Sequence, residues 1–310
     1  MIPVTVVQPK KLSGVWSAAR AAKGGFKFLA GGTDLVINAR HGKNARRVWI
    51  DISRLKELKG ITEGRGKIRI GAAETVAAVC SSPAVRKWLP ALAQACRHFA
   101  SPPLRNMATL GGNCANASPS ADAACALCAE QAAAVISRAG KIRRVAAESL
   151  FLGPKHTALR PDDLILAFEF PRRAHRGVFA KLGARESFAI SKVSAAVAAE
   201  LRNGVVCSLS IRLGAVGPKI VRPESAEKLL LGLRPGAAAI ADAARLCAVA
   251  VSPIDDVRST AAYRRDMARV ISKRALEAVL LKTSYSYCVI NTTKATGLHF
   301  SHETHEIHEK

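Results

Sequence analysis

The chain has 310 residues, of which 49% are hydrophobic, and a formal net charge of +24 at pH 7. It is long enough for two domains with a sizeable core. Because charges or glycines interrupt every long apolar run and no secretory signal is present, we expect a cytoplasmic protein without a membrane span. Lys and Arg are scattered in short groups and aromatic residues make up only 5%, which argues against nucleic acid as a partner.

The first third of the chain alternates short strands and helices. A strand is predicted over Phe26 to Ala30, the start of a helix over Thr33 to Arg40, and a second strand over Arg47 to Ser53. This is the pattern of a βαβ unit, whose parallel strands place ligand-binding loops at their carboxyl ends. Lys67 to Ala72 is predicted as a further strand, and Glu74 to Ala100 as a helical region that two prolines interrupt.

The middle of the chain is predicted to contain one helix and several strands. Ser118-Pro119 is typical of an N-cap followed by a first helical residue, for a helix over Ala121 to Val135. A hairpin is expected around Ala139-Gly140, and a strand over Asp162 to Pro171. The charged stretch Arg172 to Gly177 is the candidate domain boundary.

Beyond that boundary, strand-like runs flank a turn at Asn203-Gly204. Helices are expected over Pro223 to Leu231 and around Tyr263 to Lys282. From Thr283 the sequence becomes polar and rich in histidine. Because its last histidines do not share one helical face, we expect a disordered tail rather than a metal site.

Three cysteines raise the question of a metal centre. Cys125 and Cys128 form the one closely spaced pair, and Cys114 lies upstream. The pair lies in an alanine-rich apolar segment with no second such pair and no ligating histidine nearby. We therefore interpret these cysteines as buried structural thiols and expect no metal site.

Two pairs of adjacent glycines are the strongest functional signal. Gly31-Gly32 and Gly111-Gly112 each follow an apolar strand-like run and precede a segment that could start a helix, so their backbone N–H groups could bind phosphate. Thr33 and Asp34 could cap the helix after the first pair. Neither pair fits a Rossmann or P-loop motif, and each alone could be an ordinary turn. Together they indicate a clamp for a diphosphate, and hence a dinucleotide.

Several segments carry a family resemblance. They are AGGTDL from Ala30, IDISRLKELKGI from Ile50, IGAAET from Ile70, RNMATLGGNCANASPSAD from Arg105, FLGPKHTALRPDDLILAFEFP from Phe151, KLGARESFAISKV from Lys181 and AAYRRDMARVISKRAL from Ala261. In combination they resemble the FAD-binding (medium) subunit of molybdenum hydroxylases. That family includes the medium chain of carbon monoxide dehydrogenase and the flavin portion of xanthine dehydrogenase. The likeness extends to about residue 282.

The resemblance implies an α+β fold in two domains. The first is a PCMH-type FAD-binding domain over residues 1–172, with subdomains of about 1–58 and 59–172. The second is a smaller α+β domain of the CO dehydrogenase flavoprotein type over residues 173–282, which leaves residues 283–310 as the tail.

The resemblance also implies a set of FAD-binding residues. The two diphosphate loops fall on Phe28, Leu29, Ala30, Gly31, Gly32, Thr33, Asp34 and Leu35, and on Thr109, Leu110, Gly111, Gly112 and Asn113. The remaining positions are an aromatic beside the nucleotide at Phe99, an acid for a ribose hydroxyl at Asp122, a hydrophobic wall at Ile165, a lysine contact at Lys181 and a flavin-stacking position at Ile190. From the residues alone, Phe99, Ile165 and Ile190 would be interpreted as core.

The chain departs from the family pattern near these positions. Ala189-Ile190-Ser191 stands where the family often has Asp-Ile-Ala or Asp-Tyr-Ala, so a polar group near the flavin is expected to be missing. Pro102-Pro103 precedes Leu104-Arg105, where Gln-Ile is common, and Cys114 and Cys125 replace apolar or proline positions.

The function that the resemblance implies is electron transfer within a larger enzyme. A molybdopterin-binding large subunit would oxidise the substrate, and a two-iron ferredoxin-type small subunit would pass electrons to FAD in this chain, with NAD or another compound as acceptor. This chain would hold no catalytic residue of its own. The alternatives are a freestanding flavin reductase resembling UDP-N-acetylenolpyruvoylglucosamine reductase, and a basic nucleic-acid-binding protein.

Overall fold

The computed structural model describes residues 3–42, 46–185 and 188–283. Apart from Thr283, the predicted histidine-rich tail lies outside the described residues. The helices are α1 (Leu12–Ala21), α2 (Leu35–Arg40), α3 (Val76–Ser81), α4 (Pro83–Trp88), α5 (Pro90–Arg97), α6 (Pro102–Met107), α7 (Leu110–Asn116), α8 (Asp122–Ala129), α9 (Glu224–Leu230), α10 (Ala237–Val249) and α11 (Ala261–Leu281).

The strands are β1 (Thr5–Val7), β2 (Phe26–Leu29), β3 (Val48–Asp51), β4 (Ile61–Gly64), β5 (Lys67–Gly71), β6 (Ala133–Arg138), β7 (Lys141–Ala146), β8 (Phe151–Gly153), β9 (His156–Thr157), β10 (Leu164–Pro171), β11 (Arg176–Leu182), β12 (Val193–Arg202) and β13 (Val205–Gly214). Two short 3-10 turns lie at Lys56–Leu58 and Ala147–Leu150. The resulting α+β fold agrees with the expected class.

The N-terminal sheet has the predicted βαβ organisation. Its strand order is β1-β3-β2, and all pairs are parallel, with Phe26 opposite Val48 and Leu29 opposite Asp51. Its core of α1, β2 and β3 residues packs against β6 and β10 residues of the next sheet. The parallel arrangement places the loop after β2 at the edge that faces the rest of the domain.

The second sheet is antiparallel, in the order β4-β5-β10-β6-β7, and carries the largest core. The predicted hairpin is confirmed, with Ala139 and Gly140 in left-handed conformations between β6 and β7. The predicted helix over Ala121 to Val135 is confirmed in its first part and wrong in its second. Helix α8 ends at Ala129, and the residues after it enter β6, whose pairing with β10 requires extended backbone. A short apolar run does not distinguish a buried helix from a buried strand.

The start of α8 also differs from the prediction. Ala121 occupies the N-cap, no side chain caps the helix, and Ser118-Pro119 lies in the preceding turn. All residues of α8 are buried, including Cys125 and Cys128, because the helix packs against α5 and α7 of its own domain and against β12 and β13 of the C-terminal domain. A helix that is apolar on every side belongs in such a position.

The C-terminal sheet, β11-β12-β13, is covered on both faces. Along β12 the odd residues Val193, Ala195, Val197 and Ala199 join the core with α9, α10 and α11, whereas Ala196 faces the N-terminal domain. The small side chains on that second face let α5 and α8 approach closely.

The C-terminal domain contains the predicted turn and both predicted helices, together with one helix that was not predicted. The turn at Asn203-Gly204 is confirmed, with both residues at positive φ. Helices α9 and α11 match the two predicted ones. Helix α10 was not predicted, although Ile240, Ala243 and Cys247 show the spacing of a helix with one buried face. Within the described residues, none of the helices combines the length and apolarity that crossing a bilayer requires.

Candidate functional site

The first glycine loop connects β2 to α2 and forms an open cradle. A Cβ at Gly31 would overlap the carbonyl oxygen of Met107, so only glycine permits this approach between the two loops. Gly32 has φ +70°, a conformation that also favours glycine. Within the described residues, the backbone N–H groups of residues 31–34 form no hydrogen bond. These donors are therefore available to an anionic ligand.

The side chains expected to cap α2 do not do so. Asp34 occupies the N-cap position, but its carboxylate accepts no hydrogen bond from the first turn. It lies instead 3.6 Å from Nζ of Lys155, which also donates to the Asn116 side chain at 2.9 Å. Lys155 thereby links the first loop to the end of α7. The exposed Asp34–Lys155 pair contributes little stability.

The second glycine pair does not form the open turn that was expected. The chain before it is helix α6, which begins at Pro102-Pro103, and Gly111 and Gly112 lie inside α7. The Gly111 N–H donates to Ala72 O at 2.8 Å, and the Gly112 N–H donates to Thr109 Oγ1 at 3.1 Å. Both amides are therefore occupied within the protein.

Gly111 is required for close packing and not for binding an anion through its N–H group. A Cβ there would lie 2.7 Å from Ala72 O, so the glycine lets α7 contact the end of β5. Asn113 Oδ1 accepts the Ala124 N–H at 3.1 Å, which fixes α7 against α8, and Leu110 is fully buried. This segment acts mainly as a rigid wall opposite the first loop.

A cavity of about 240 Å³ lies between the two loops. It is lined by Ala30, Gly31, Ser53, Lys59, Ala73, Thr75, Asn106, Met107 and Thr109. The first loop and the segment before α7 thus border one cleft, as the clamp hypothesis requires. Lys59 was not among the residues predicted from the sequence, where it appears as one of many scattered basic residues.

Asp122 and Lys181 form a buried ion pair where the two domains meet. Lys181 Nζ, on β11, lies 2.9 Å from Asp122 Oδ2, and the side chains are 4% and 7% exposed. Lys181 also donates to the carbonyls of His98 at 2.9 Å and Ala189 at 3.1 Å. Ser191 donates its hydroxyl to Asp122 Oδ1 at 2.6 Å. The two predicted site residues are therefore brought together by the fold.

The sequence predicted that a polar group would be missing at residues 189–191, but Ser191 supplies one. Residue 189 is alanine, and it contributes only its carbonyl oxygen to Lys181. The polar side chain is supplied two positions later by Ser191, which is 1% exposed and directed at Asp122. The sequence alone could not show this contact, because it depends on the path of the loop between β11 and β12.

Phe99 lies beside this junction. It is half-buried and packs against the core of the N-terminal domain, and its carbonyl and that of Ala100 accept hydrogen bonds from Arg105 at 2.9 Å. Burial, followed by the positive charges of Lys181, Arg97 and Arg105, lowers the pKa of His98 to about 3. The adjacent imidazole is thus neutral near neutral pH.

The two predicted isoleucine contacts differ in exposure. Ile165 on β10 is 4% exposed and belongs to the core, as its residue type suggests. Ile190 is 55% exposed, so its interpretation as core is wrong. Phe188, two residues earlier, is 51% exposed and holds a left-handed conformation. The loop before β12 therefore presents apolar side chains that a planar ring could cover.

The cysteines lie in the core. Cys114, Cys125 and Cys128 are at most 3% exposed, and burial raises the pKa of all three thiols, to about 12 for Cys125. They therefore remain protonated at neutral pH and behave as small apolar groups.

The geometry defines a class of protein. A glycine cradle with unpaired amides, a cleft between two loops and a buried polar junction between two domains fit a dinucleotide-binding protein.

Comparison with known proteins gives the family. Residues 2–173 match the FAD binding domain in molybdopterin dehydrogenase, and residues 179–279 match the CO dehydrogenase flavoprotein C-terminal domain. The chain belongs to this family of FAD-binding subunits of molybdenum hydroxylases. It is a flavoprotein component of an oxidoreductase, and FAD is its cofactor.

Individual relatives support this. The chain is 35% identical over 206 residues to a putative xanthine dehydrogenase FAD-binding subunit of Escherichia coli, a match that covers 65% of this chain and 70% of that one. It is 32% identical over 254 residues to the carbon monoxide dehydrogenase medium chain of Hydrogenophaga pseudoflava, covering 81% and 88%.

The fold is likewise similar to that of solved structures. A chain of the Hydrogenophaga pseudoflava carbon monoxide dehydrogenase that lacks the Mo-pyranopterin moiety superposes with a TM-score of 0.87 at 30% identity. The superposition covers 92% of this chain and 100% of that one, so both domains share the arrangement.

Proposed function

We propose that this chain is the electron-transfer subunit of a molybdopterin-dependent hydroxylase or dehydrogenase complex. Electrons would come from iron–sulfur clusters of a ferredoxin-type small subunit and leave to NAD or another acceptor, while a molybdopterin-binding large subunit oxidises the substrate. The observation that carries the proposal is the cradle of unpaired amides at residues 31–34, held against Met107.

The roles of the residues follow from their positions. The amides of residues 31–34 would bind the diphosphate, and Asp122 would accept a hydrogen bond from a ribose hydroxyl. Lys181 would hold Asp122 in place and position the second domain over the cofactor. Phe99 and Ile165 would form apolar walls, and exposed Ile190 would stack against the flavin ring. The second loop, Thr109 to Asn113, would act as the facing wall.

FAD supplies a group that accepts electrons singly and releases them as a pair. The protein's own contribution is to bind it, orient it and exclude water from part of it. The described residues form no group of histidines, cysteines and carboxylates that could hold a metal ion. Under the proposal, the iron and molybdenum belong to partner subunits.

Isolation of the complex tests this proposal. The chain would be tagged in the organism that encodes it, purified under mild conditions, and analysed for flavin, iron, molybdenum and associated chains. We expect two partners, one with molybdopterin and one with iron–sulfur clusters, and flavin bleaching when the complex meets its substrate without an acceptor. A chain that purifies alone with FAD and catalyses a complete reaction would favour the freestanding flavin reductase instead.

A further inference from the structure

Lys59 is the charged group of the cleft between the two loops. Among the described residues that line this cavity of about 240 Å³, Lys59 alone carries a charge. It takes part in no ion pair with a described residue. The other lining groups are apolar or neutral, so an anion in this cleft would meet a single cation.

The position of Lys59 is fixed by its surroundings. It follows the 3-10 turn Lys56–Leu58, where Leu58 is fully buried. Its Nζ donates a hydrogen bond to the carbonyl of Ala73, which also lines the cleft. The next residue, Gly60, donates its N–H to Glu74 Oε1 at 2.6 Å. The backbone and the ammonium group are thus held before any ligand arrives.

One ammonium has three donors, and Ala73 uses one of them. Within the part of the chain that the structure describes, the other two have no acceptor and can contact an anion in the cleft. The second loop cannot offer its glycine amides to an anion in the cleft, because the N–H groups of Gly111 and Gly112 already donate to Ala72 and Thr109.

We propose that Lys59 binds the diphosphate of FAD in the cleft that the first glycine loop also borders, in place of the occupied amides of the second loop. This inference rests on the proposed function, since it concerns the same cofactor. It assigns a binding role to a residue outside both glycine loops. The charge-assisted contact would act on the phosphates and not on the flavin ring.

The test compares Lys59→Met with Lys56→Met in the full-length chain without bound flavin. Lys56 is an exposed lysine three positions earlier, so its replacement removes the same charge outside the cleft. FAD, ADP and riboflavin are titrated separately by calorimetry. We expect Lys59→Met to weaken FAD and ADP binding about tenfold or more, with riboflavin unchanged and Lys56→Met like the wild type. Lys59→Arg, which keeps the charge, should recover most of the affinity.

Other outcomes would overturn the inference. Equal FAD affinity in Lys59→Met and wild type would remove the proposed contact while leaving the FAD function intact. An equal loss for riboflavin would show that Lys59 acts through the fold. If the wild type bound no FAD, the proposed function would fail. In that case, titration with inorganic pyrophosphate would test whether Lys59 still forms an anion-binding site. The site is supported only if the wild type binds pyrophosphate and Lys59→Met does not.

Discussion

Lys181 and Asp122 join the two domains through a buried ion pair of 2.9 Å. Asp122 is the first residue of α8 in the FAD-binding domain, and Lys181 lies on β11 of the C-terminal domain. Two backbone carbonyls and the Ser191 hydroxyl complete their hydrogen bonding. Burying a charge away from water costs free energy unless an opposite charge and hydrogen bonds compensate it. Loss of either Lys181 or Asp122 would therefore leave an uncompensated buried charge and lower the stability of the protein.

Lys181→Met should destabilise the protein strongly. It leaves the Asp122 carboxylate buried without its cation, which we expect to lower the free energy of unfolding by about 3–5 kcal/mol. Urea unfolding followed by circular dichroism measures this. The double variant Lys181→Met/Asp122→Asn should recover part of the loss, because no uncompensated charge remains. A double variant no more stable than the single one would argue against charge as the cause.

Ser191→Ala should have a smaller effect at the same site. The variant removes a hydrogen bond to the Asp122 carboxylate and should cost about 1.5–3 kcal/mol of stability. FAD affinity should fall as well, since Asp122 is less firmly oriented. Ser81→Ala provides a control, because Ser81 is exposed and bonds only to its own helix. Equal stability and equal FAD affinity in Ser191→Ala and Ser81→Ala would show that the Ser191 hydroxyl does not orient Asp122.

Gly31→Ala tests the close approach of the two loops. The added methyl group would overlap the Met107 carbonyl, so the loops must separate. We expect a loss of about 1–3 kcal/mol in stability and weaker FAD binding. Gly153→Ala is the matched control: its Cβ meets nothing within 4 Å, and we expect a change within about 0.5 kcal/mol. Unchanged FAD affinity in Gly31→Ala would contradict the cradle.

His175 should make part of the stability depend on pH. It pairs with Glu130 at 2.6 Å between nearly fully buried side chains at the domain boundary. Burial alone would lower the pKa of His175, but the hydrogen bond and charge of Glu130 offset this and raise the pKa above its ordinary value. A raised folded-state pKa adds stability that is complete below the unfolded pKa of about 6.5 and is lost as pH rises through the folded pKa.

The corresponding experiment compares wild type and His175→Gln across that pH range. The difference in unfolding free energy should be largest at acid pH and shrink as pH increases. His156→Gln, which replaces an exposed histidine, should follow the wild type. A difference that stayed constant with pH would show that folding leaves the pKa of His175 unchanged, and a difference that shrank at acid pH would show that folding lowers it.

Sequence patterns predicted much of the fold. The βαβ unit around Gly31 and the hairpin at Ala139-Gly140 were confirmed because periodicity and turn residues specify them locally. The helix predicted through Val135 was wrong, because β6 gains its strand conformation from pairing with β10, a contact distant in sequence.

The site was predictable to a similar degree. The family resemblance assigned Asp122 and Lys181 to the same predicted site, and the fold places the two side chains in contact. The roles of Ser191 and Lys59 could not be derived, because each depends on a loop path that no local pattern encodes. The occupied amides of Gly111 and Gly112 were likewise hidden, since their acceptors lie in β5's following turn and in the Thr109 side chain.

Titration of the flavin-free, full-length chain with FAD tests whether the cradle at residues 31–34 binds this cofactor. Calorimetry and the visible absorbance of the bound flavin would report affinity and stoichiometry, with Gly31→Ala and Gly153→Ala measured in parallel. We expect one FAD per chain, with binding weakened in Gly31→Ala and retained in Gly153→Ala. A folded wild-type chain that takes up no FAD would contradict it.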